Sequence, residues 1–140
     1  MVIHIVMLKI IYISNIVYKF LFVHTHLTTG IVGEKLACTF FKQKGFVILH
    51  TNWRHGRCEV DIIASKNNVL HFIEVKTRSN KDFGLPEESI HEKKMNNLKQ
   101  AAEAFLHKYS EWKYIQFDVL SILLLKNATP EFCLLEDVYF

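Results

Sequence analysis

The sequence predicts one α/β domain whose elements follow the order helix, three strands, helix, strand. In two segments the apolar residues recur at three- to four-residue spacing, which is typical of amphipathic helices. Four other segments are rich in β-branched and aromatic residues and are bounded by polar turn residues, which is typical of strands. The chain has 140 residues, of which 50% are hydrophobic and 22% charged, so it can bury one sizeable core.

The first half of the domain is predicted as a helix followed by three strands. The helix covers residues 33–44, because apolar residues share one face there, and Gly45 stands where a left-handed C-terminal cap is expected. The residues of that face are Leu36, Ala37, Phe40 and Phe41. The strands are predicted over residues 46–53, 58–65 and 69–77. Lys66, Asn67 and Asn68 suit a tight hairpin turn between the last two strands.

The second half is predicted as a loop, a helix and a buried strand. The polar stretch 78–88 contains glycine and proline, so it should cross the surface as a loop. Ser89 and Glu92 have the spacing of a capping box that opens a basic helix. One face of that helix carries Leu98, Ala101, Ala102, Phe105 and Tyr109. The apolar run 114–125 predicts a fourth strand that is buried on both faces.

Residues 1–25 form an apolar extension ahead of the single domain, which we place at residues 26–140. Lys9 and Asn15 interrupt the only window long enough to cross a membrane, and no clear cleavage site marks a secretory signal. We expect that translation starts later, near Val23; a membrane anchor formed by residues 1–23 is the alternative. The three cysteines lack paired spacing, which indicates reduced packing residues and a cytoplasmic protein.

Charged residues within the apolar strands are the main functional signal. Side chains two residues apart share a face of a strand, so Glu74 lies with Lys76, and Glu59 lies with Asp61. A surface position or a salt bridge is the simpler explanation for any one of them alone. The predicted hairpin, however, brings Asp61 and Glu74 to one end of one sheet, where burying unpaired carboxylates is costly.

That combination indicates a phosphodiester-hydrolysing site. An aspartate and a glutamate on adjacent strands supply the oxygen ligands that Mg²⁺ prefers, and they leave positions for water and a phosphate oxygen. Lys76 can lower the pKa of an attacking water or stabilise the charge that develops on the phosphate. We therefore predict Mg²⁺ (or Mn²⁺) as the cofactor, and no small-molecule cofactor.

Short motifs through about 90 residues resemble those of the bacterial YraN family. They are GIVGEKLA (30–37), KGF (44–46), NWR (52–54), EVDII (59–63), FIEVKTRS (72–79), FG-P (83–86), Lys94, AAEAFL (101–106) and FDV (117–119). The resemblance implies a restriction-endonuclease-like, PD-(D/E)xK fold of the Holliday-junction-resolvase type, with a three-layer core and a mixed central sheet. It also implies that Asp61, Glu74 and Lys76 occupy the active-site pattern. Glu34 then falls on the extra acidic residue of resolvase-type members, which makes it a third metal ligand.

Basic and aromatic residues near the carboxylates are candidates for nucleic-acid contacts. They are Arg54, Arg57, Arg78, Lys81 and Lys94, together with Trp53, which could stack on a base. We expect Asp118 to be a structural partner of Arg54 or of a lysine rather than a metal ligand. Two functions remain open: a Mg²⁺-dependent DNA nuclease, or a non-catalytic module that binds nucleic acid or protein. A homodimer is expected by analogy with resolvases.

Overall fold

The computed structural model describes residues 29–80 and 92–138. In chain order the elements are α1 (Thr29–Gln43), β1 (Val47–His55), β2 (Cys58–Lys66), β3 (Val69–Arg78), α2 (Glu92–Lys108), β4 (Ile115–Leu123) and β5 (Glu131–Leu135). The predicted order of helix, three strands, helix and strand is confirmed. The short strand β5 was not predicted. The apolar extension and the Ser89 capping box lie outside the described residues.

The five strands form one mixed sheet in the order β1-β2-β3-β4-β5. Neighbouring strands run antiparallel except β3 and β4, which are parallel and are connected by the segment that contains α2. A parallel connection needs a long crossover, whereas β2 and β3 are joined by a two-residue turn. Both residues of that turn have positive φ, Asn67 at 50° and Asn68 at 64°, as in the predicted hairpin.

The end of α1 fixes where β1 begins. Gly45 has a φ of 84°, which an L side chain adopts only with strain. The Phe46 amide donates to the Phe41 carbonyl at 3.0 Å, and the Gly45 amide donates to the Lys42 carbonyl at 3.1 Å. These bonds satisfy carbonyls that the helix leaves without partners. The predicted glycine cap is therefore confirmed, although α1 begins four residues earlier than predicted.

In the described part of the chain, α1 covers one face of the sheet and α2 covers the other, which gives three layers. α1 packs on one face against a cluster that includes Ile62, Ile73 and Leu120. α2 packs on the other face against Val60 and Phe72, and its own Leu98, Ala101, Ala102 and Phe105 are buried there as predicted. The fold is a restriction-endonuclease-like α/β core with a mixed central sheet.

The cysteines test one of the remaining predictions. Cys38, Cys58 and Cys133 are unpaired, as expected. Cys133 is exposed, so the packing role predicted for it is wrong. Within residues 29–80 and 92–138, no helix is long and apolar enough to cross a membrane.

Candidate active site

Strands β2 and β3 separate near the carboxylates, and we call this place the fork. Their backbone pairing extends from the hairpin turn to Ile62 and Ile73. Beyond these residues β2 continues beside β1, while β3 continues beside β4. At the fork the Asp61 carboxylate replaces the missing backbone partner, because its Oδ2 accepts a hydrogen bond from the Val75 amide at 2.7 Å. The sheet thus opens at the predicted site while β3 keeps a partner there.

Asp61 lies in an environment that disfavours its charge. Burial and the nearby Glu74 carboxylate raise the pKa of Asp61 from 3.8 to about 6. The Val75 amide and Lys94 act in the opposite direction, and Glu34 adds a further increase. Asp61 therefore experiences the charge of two other carboxylates, which is typical of a site that binds a cation or carries out acid–base chemistry.

Glu74 is buried and is neutralised by two lysines. The residue is 5% exposed. Its Oε1 lies 3.0 Å from Lys76 Nζ and 2.8 Å from Lys94 Nζ. Lys76 reaches it from the same strand, two residues away, so the predicted common face of Glu74 and Lys76 is confirmed. Lys94 reaches it from α2, which covers that face of the sheet.

The ammonium group of Lys94 is held in its charged form. Burial lowers the pKa of Lys94, but the hydrogen bond and the negative charge of Glu74 more than compensate, so that the pKa is raised overall. Asp61 and Glu59 contribute smaller increases. Lys94 therefore interacts with the charges of Glu74, Asp61 and Glu59 and not with Glu74 alone.

Glu34 approaches the site from the other layer. Its Oε2 accepts a hydrogen bond from Asn52 Nδ2 at 3.0 Å. Asn52 has a φ of 50° and lies between Thr51 and Trp53, which pair with the residues on either side of Asp61. Asparagine tolerates this backbone better than most residues. Asn52 was not predicted as a site residue, although it begins the NWR motif.

The position of Glu34 depends on the glycine before it. α1 and β3 come so close that a Cβ added at Gly33 would overlap the Thr77 hydroxyl and lie 2.8 Å from the Thr77 Cβ. A larger residue would push α1 off the sheet, and Glu34 would move with it. The GIVGEKLA motif thus includes the residue that permits the approach and the carboxylate that the approach positions.

The donor set matches a hard divalent cation in chemical type. Asp61 and Glu74 offer carboxylate oxygens, and Glu34 lies near enough to Asp61 to affect its pKa. In residues 29–80 and 92–138, no three Asp, Glu, His or Cys side chains already form a group that could hold a metal ion. Instead, Lys76 and Lys94 balance the charge of Glu74. Ion binding would therefore require these side chains to rearrange.

The predicted arginines differ in their surroundings. Arg54 pairs with Glu59 through an Nη2–Oε1 distance of 3.0 Å, and its side chain is 71% exposed. Arg57 is exposed beside the β1–β2 turn, and Arg78 is half-buried at the end of β3. Lys81 lies outside the described residues. Glu59 therefore lies at the surface, paired with Arg54. Asp61 is the carboxylate of β2 that lies at the fork.

Trp53 is half-buried and is held on two sides. Its ring stacks on His55 at a centroid distance of 6.1 Å and meets Phe105 edge-on at 5.5 Å. Both contacts hold the indole against the α2 face of the sheet. Stacking of Trp53 on a nucleic-acid base stays a prediction.

Asp118 has a structural role, but its predicted partner is wrong. It is 1% exposed, and its Oδ2 lies 2.7 Å from His71 Nδ1. Its Oδ1 accepts hydrogen bonds from Gln116 Nε2 at 2.8 Å and from the Asp137 amide at 3.0 Å. Arg54 instead pairs with Glu59. A buried carboxylate needs several polar partners, and those of Asp118 come from β3, from its own strand β4 and from the chain after β5.

The model of the uncharacterised protein family UPF0102 matches residues 33–122. The chain belongs to UPF0102, the YraN family. The UPF0102 match includes the three carboxylates Glu34, Asp61 and Glu74, which we call the carboxylate cluster. It also includes the two lysines that contact Glu74, Lys76 and Lys94.

Relatives with the UPF0102 name come from several bacteria. The protein of Cytophaga hutchinsonii is 41% identical over 97 residues, which cover 69% of this chain and 86% of the relative. That of Dictyoglomus thermophilum is 43% identical over 100 residues, covering 71% and 85%. That of Chloroherpeton thalassium is 38% identical over 121 residues, covering 84% and 92%. These names give the family and no activity.

Proposed function

We propose that this UPF0102 protein is a divalent-metal-dependent nuclease that hydrolyses phosphodiester bonds in DNA, with branched or repair intermediates as substrates. The observation that supports this most is the position of Asp61, Glu74 and Lys76 at the fork, where Asp61 and Glu74 repel each other and Lys76 contacts Glu74. Oxygen ligands beside a lysine are the chemistry that metal-assisted phosphodiester hydrolysis requires.

In this proposal Asp61 and Glu74 hold a Mg²⁺ or Mn²⁺ ion, and Glu34 is the third carboxylate. When bound, the ion polarises the phosphate and lowers the pKa of a water molecule. Lys76 donates to a non-bridging phosphate oxygen and stabilises its growing negative charge. The water oxygen bonds to phosphorus and releases a proton to solvent, the bond from phosphorus to the leaving sugar oxygen breaks, and that oxygen takes up a proton from solvent.

DNA would reach the site along the exposed basic residues beside it. Arg54 and Arg57 lie at the turn end of the β1–β2 hairpin, and both side chains are exposed. Contacts from such side chains to phosphates position a nucleic acid without reading its sequence. We therefore expect affinity that falls steeply as the salt concentration rises.

The test is cleavage of branched, single-stranded and duplex DNA with Mg²⁺ or Mn²⁺. Asp61→Asn, Glu74→Gln and Lys76→Met should each lower the cleavage rate at least about 100-fold, because the first two weaken the hold on the ion and the third removes the charge that stabilises the reacting phosphate. Glu103→Gln and Lys93→Met, at exposed positions of α2, are the matched controls and should cleave as the wild type does. Cleavage that survives the three site substitutions contradicts the proposal.

The alternative is a non-catalytic module that binds nucleic acid or protein with the same fold. The observation that favours it is the ion pairing of Glu74 with Lys76 and Lys94, which neutralises the carboxylate without a metal. This alternative predicts salt-dependent DNA binding that is independent of divalent ions. Calorimetric titration with Mn²⁺ separates the two, because only the nuclease requires an ion whose binding is lost in Asp61→Asn.

We also propose that the protein is a cytoplasmic homodimer, since resolvase-type cleavage of two strands uses two active sites. Sedimentation at micromolar concentration, with and without branched DNA, tests the oligomeric state. A protein that remains monomeric when bound to branched DNA contradicts the dimer and leaves single-strand cleavage open.

A further inference from the structure

The contact between Lys94 and Glu74 links α2 to the site on the sheet. Lys94 Nζ lies 2.8 Å from Glu74 Oε1, and Lys76 Nζ lies 3.0 Å from the same atom. The Glu74 side chain is 6% exposed, whereas that of Lys94 is 50% exposed. The buried carboxylate is thus paired with a side chain that can leave it for solvent without unpacking the core.

One lysine would be enough to balance the single charge of Glu74. The second positive charge, that of Lys94, offsets the negative charge of the other carboxylates near the fork, because Asp61 and Glu59 also stabilise the charged form of Lys94. An isolated buried carboxylate cluster would be costly. Lys94 therefore provides, in the protein without a metal, positive charge that the cluster requires.

A divalent ion bound by Asp61 and Glu74 would repel the ammonium group of Lys94 beside Glu74. An ion held by Asp61 and Glu74 would bring two positive charges next to an ammonium group that already contacts Glu74. Like charges a few ångströms apart repel strongly where water is partly excluded. The Lys76 side chain is 29% exposed and comes from the same strand as Glu74, whereas that of Lys94 is 50% exposed and comes from α2. Lys94 is therefore the residue that can withdraw.

We propose that Lys94 is an internal counter-cation: it positions Glu74 in the metal-free protein and is displaced when a divalent ion binds. The inference rests on the metal site of the proposed function. It assigns Lys94 a positioning role in place of the direct nucleic-acid contact predicted from the sequence. Lys94 and the ion then compete for the carboxylate cluster, and removing the lysine charge favours the ion.

The first measurement is Mn²⁺ binding to the full chain by calorimetry at pH 7.5 and low salt. Lys94→Met keeps most of the side-chain length and removes the charge, so it should bind Mn²⁺ about 10-fold more tightly than the wild type, which corresponds to about 1.4 kcal/mol. Lys94→Arg should bind like the wild type. Lys93→Met, an exposed neighbour on α2, is the control and should change affinity by less than about twofold.

The second measurement is the urea midpoint of the same variants without metal. Lys94→Met should lower the midpoint, and most of the loss should disappear when Glu74→Gln is introduced in the same chain, because the charge that Lys94 contacts directly is then absent. Lys94→Gln serves as a second neutral variant if the Met variant does not fold. This readout requires neither cleavage nor DNA.

The outcomes distinguish this inference from the proposed function. Wild-type binding of Mn²⁺ with an unchanged affinity in Lys94→Met overturns the counter-cation and leaves the nuclease proposal standing. The same result together with weaker DNA binding makes Lys94 a phosphate contact, which also overturns it. Binding by Lys94→Met but not by the wild type supports the counter-cation. Absence of binding in both proteins overturns both proposals.

Discussion

Replacing Asp61 with asparagine should stabilise the metal-free protein at neutral pH. Asparagine keeps an oxygen that can accept the 2.7 Å hydrogen bond from the Val75 amide, and it removes a charge that burial and Glu74 oppose. An acid whose pKa is raised by folding binds its proton more tightly in the folded state. The stability that this tighter proton binding contributes is therefore fully present below the pKa of Asp61 in the unfolded state. It is lost as the pH rises through the pKa of Asp61 in the folded state.

The size of the effect follows from the two pKa values. The pKa of Asp61 moves from 3.8 to about 6 on folding, a difference of roughly two units, and one unit corresponds to about 1.4 kcal/mol. The charged aspartate thus costs at most about 3 kcal/mol above pH 6. The side-chain NH2 group of asparagine also needs a hydrogen-bond acceptor, which offsets part of the benefit. We therefore expect the free energy of unfolding to rise by about 1–3 kcal/mol.

Urea unfolding of both proteins in EDTA, at pH 7.5 and at pH 3.5, measures the effect. The gain in the free energy of unfolding should be present at pH 7.5 and nearly absent at pH 3.5, where Asp61 is protonated in the folded state and mostly protonated in the unfolded state. Glu103→Gln, an exposed carboxylate on α2, is the control and should show no such gain. If Asp61→Asn is less stable than the wild type at pH 7.5, the carboxylate is stabilising and the electrostatic account of the fork is wrong.

Four further results are expected. Gly33→Ala should destabilise the protein by about 1–3 kcal/mol in urea unfolding, and Thr77→Ala in the same chain should restore part of the loss, because the added Cβ overlaps the threonine side chain. Asp118→Ala should cost about 1–3 kcal/mol, since it leaves the buried His71 ring nitrogen and the Asp137 amide without their hydrogen-bond partner; a loss below about 1 kcal/mol contradicts this. Arg54→Ala should change stability by less than about 1 kcal/mol, because its ion pair is exposed, yet weaken DNA binding in a low-salt titration. Mn²⁺ affinity should be lower at pH 5 than at pH 7.5, because Asp61 must lose its proton; equal affinities would exclude Asp61 as a ligand.

Local sequence patterns were sufficient to predict most of the helices and strands and part of the site. The Asn67–Asn68 turn requires positive φ, which asparagine tolerates, so the hairpin was predictable from two residues. The period of two along β3 then placed Glu74 beside Lys76. β5 was missed because its five residues alternate weakly and follow a polar turn.

Long-range contacts explain what the sequence did not predict. The His71 partner of Asp118 depends on the parallel pairing of β3 with β4, which no local pattern encodes. The contact of Lys94 with Glu74 depends on how α2 packs across the sheet. Strict alternation also fails in β2: Val60 packs toward α2, while Ile62, two residues later, packs toward α1. The phase of the strand therefore changes at Asp61, the residue on which the predicted site depends most.

The break in side-chain alternation at Asp61 also explains how carboxylates can be accommodated within an apolar sheet. On both sides of the fork the strands are held by packed layers, with Ile62 and Ile73 fully buried under α1 and Phe72 under α2. Where β2 and β3 part, the Val75 amide would be left unpaired, and Asp61 satisfies it. The hydrogen bond holds Asp61 beside Glu74 in spite of their repulsion, and the electrostatic cost of the cluster is offset by core packing and by the ammonium groups of Lys76 and Lys94. A site built in this way gains most from a ligand that brings positive charge to both carboxylates, which is why a divalent ion is the ligand that we propose.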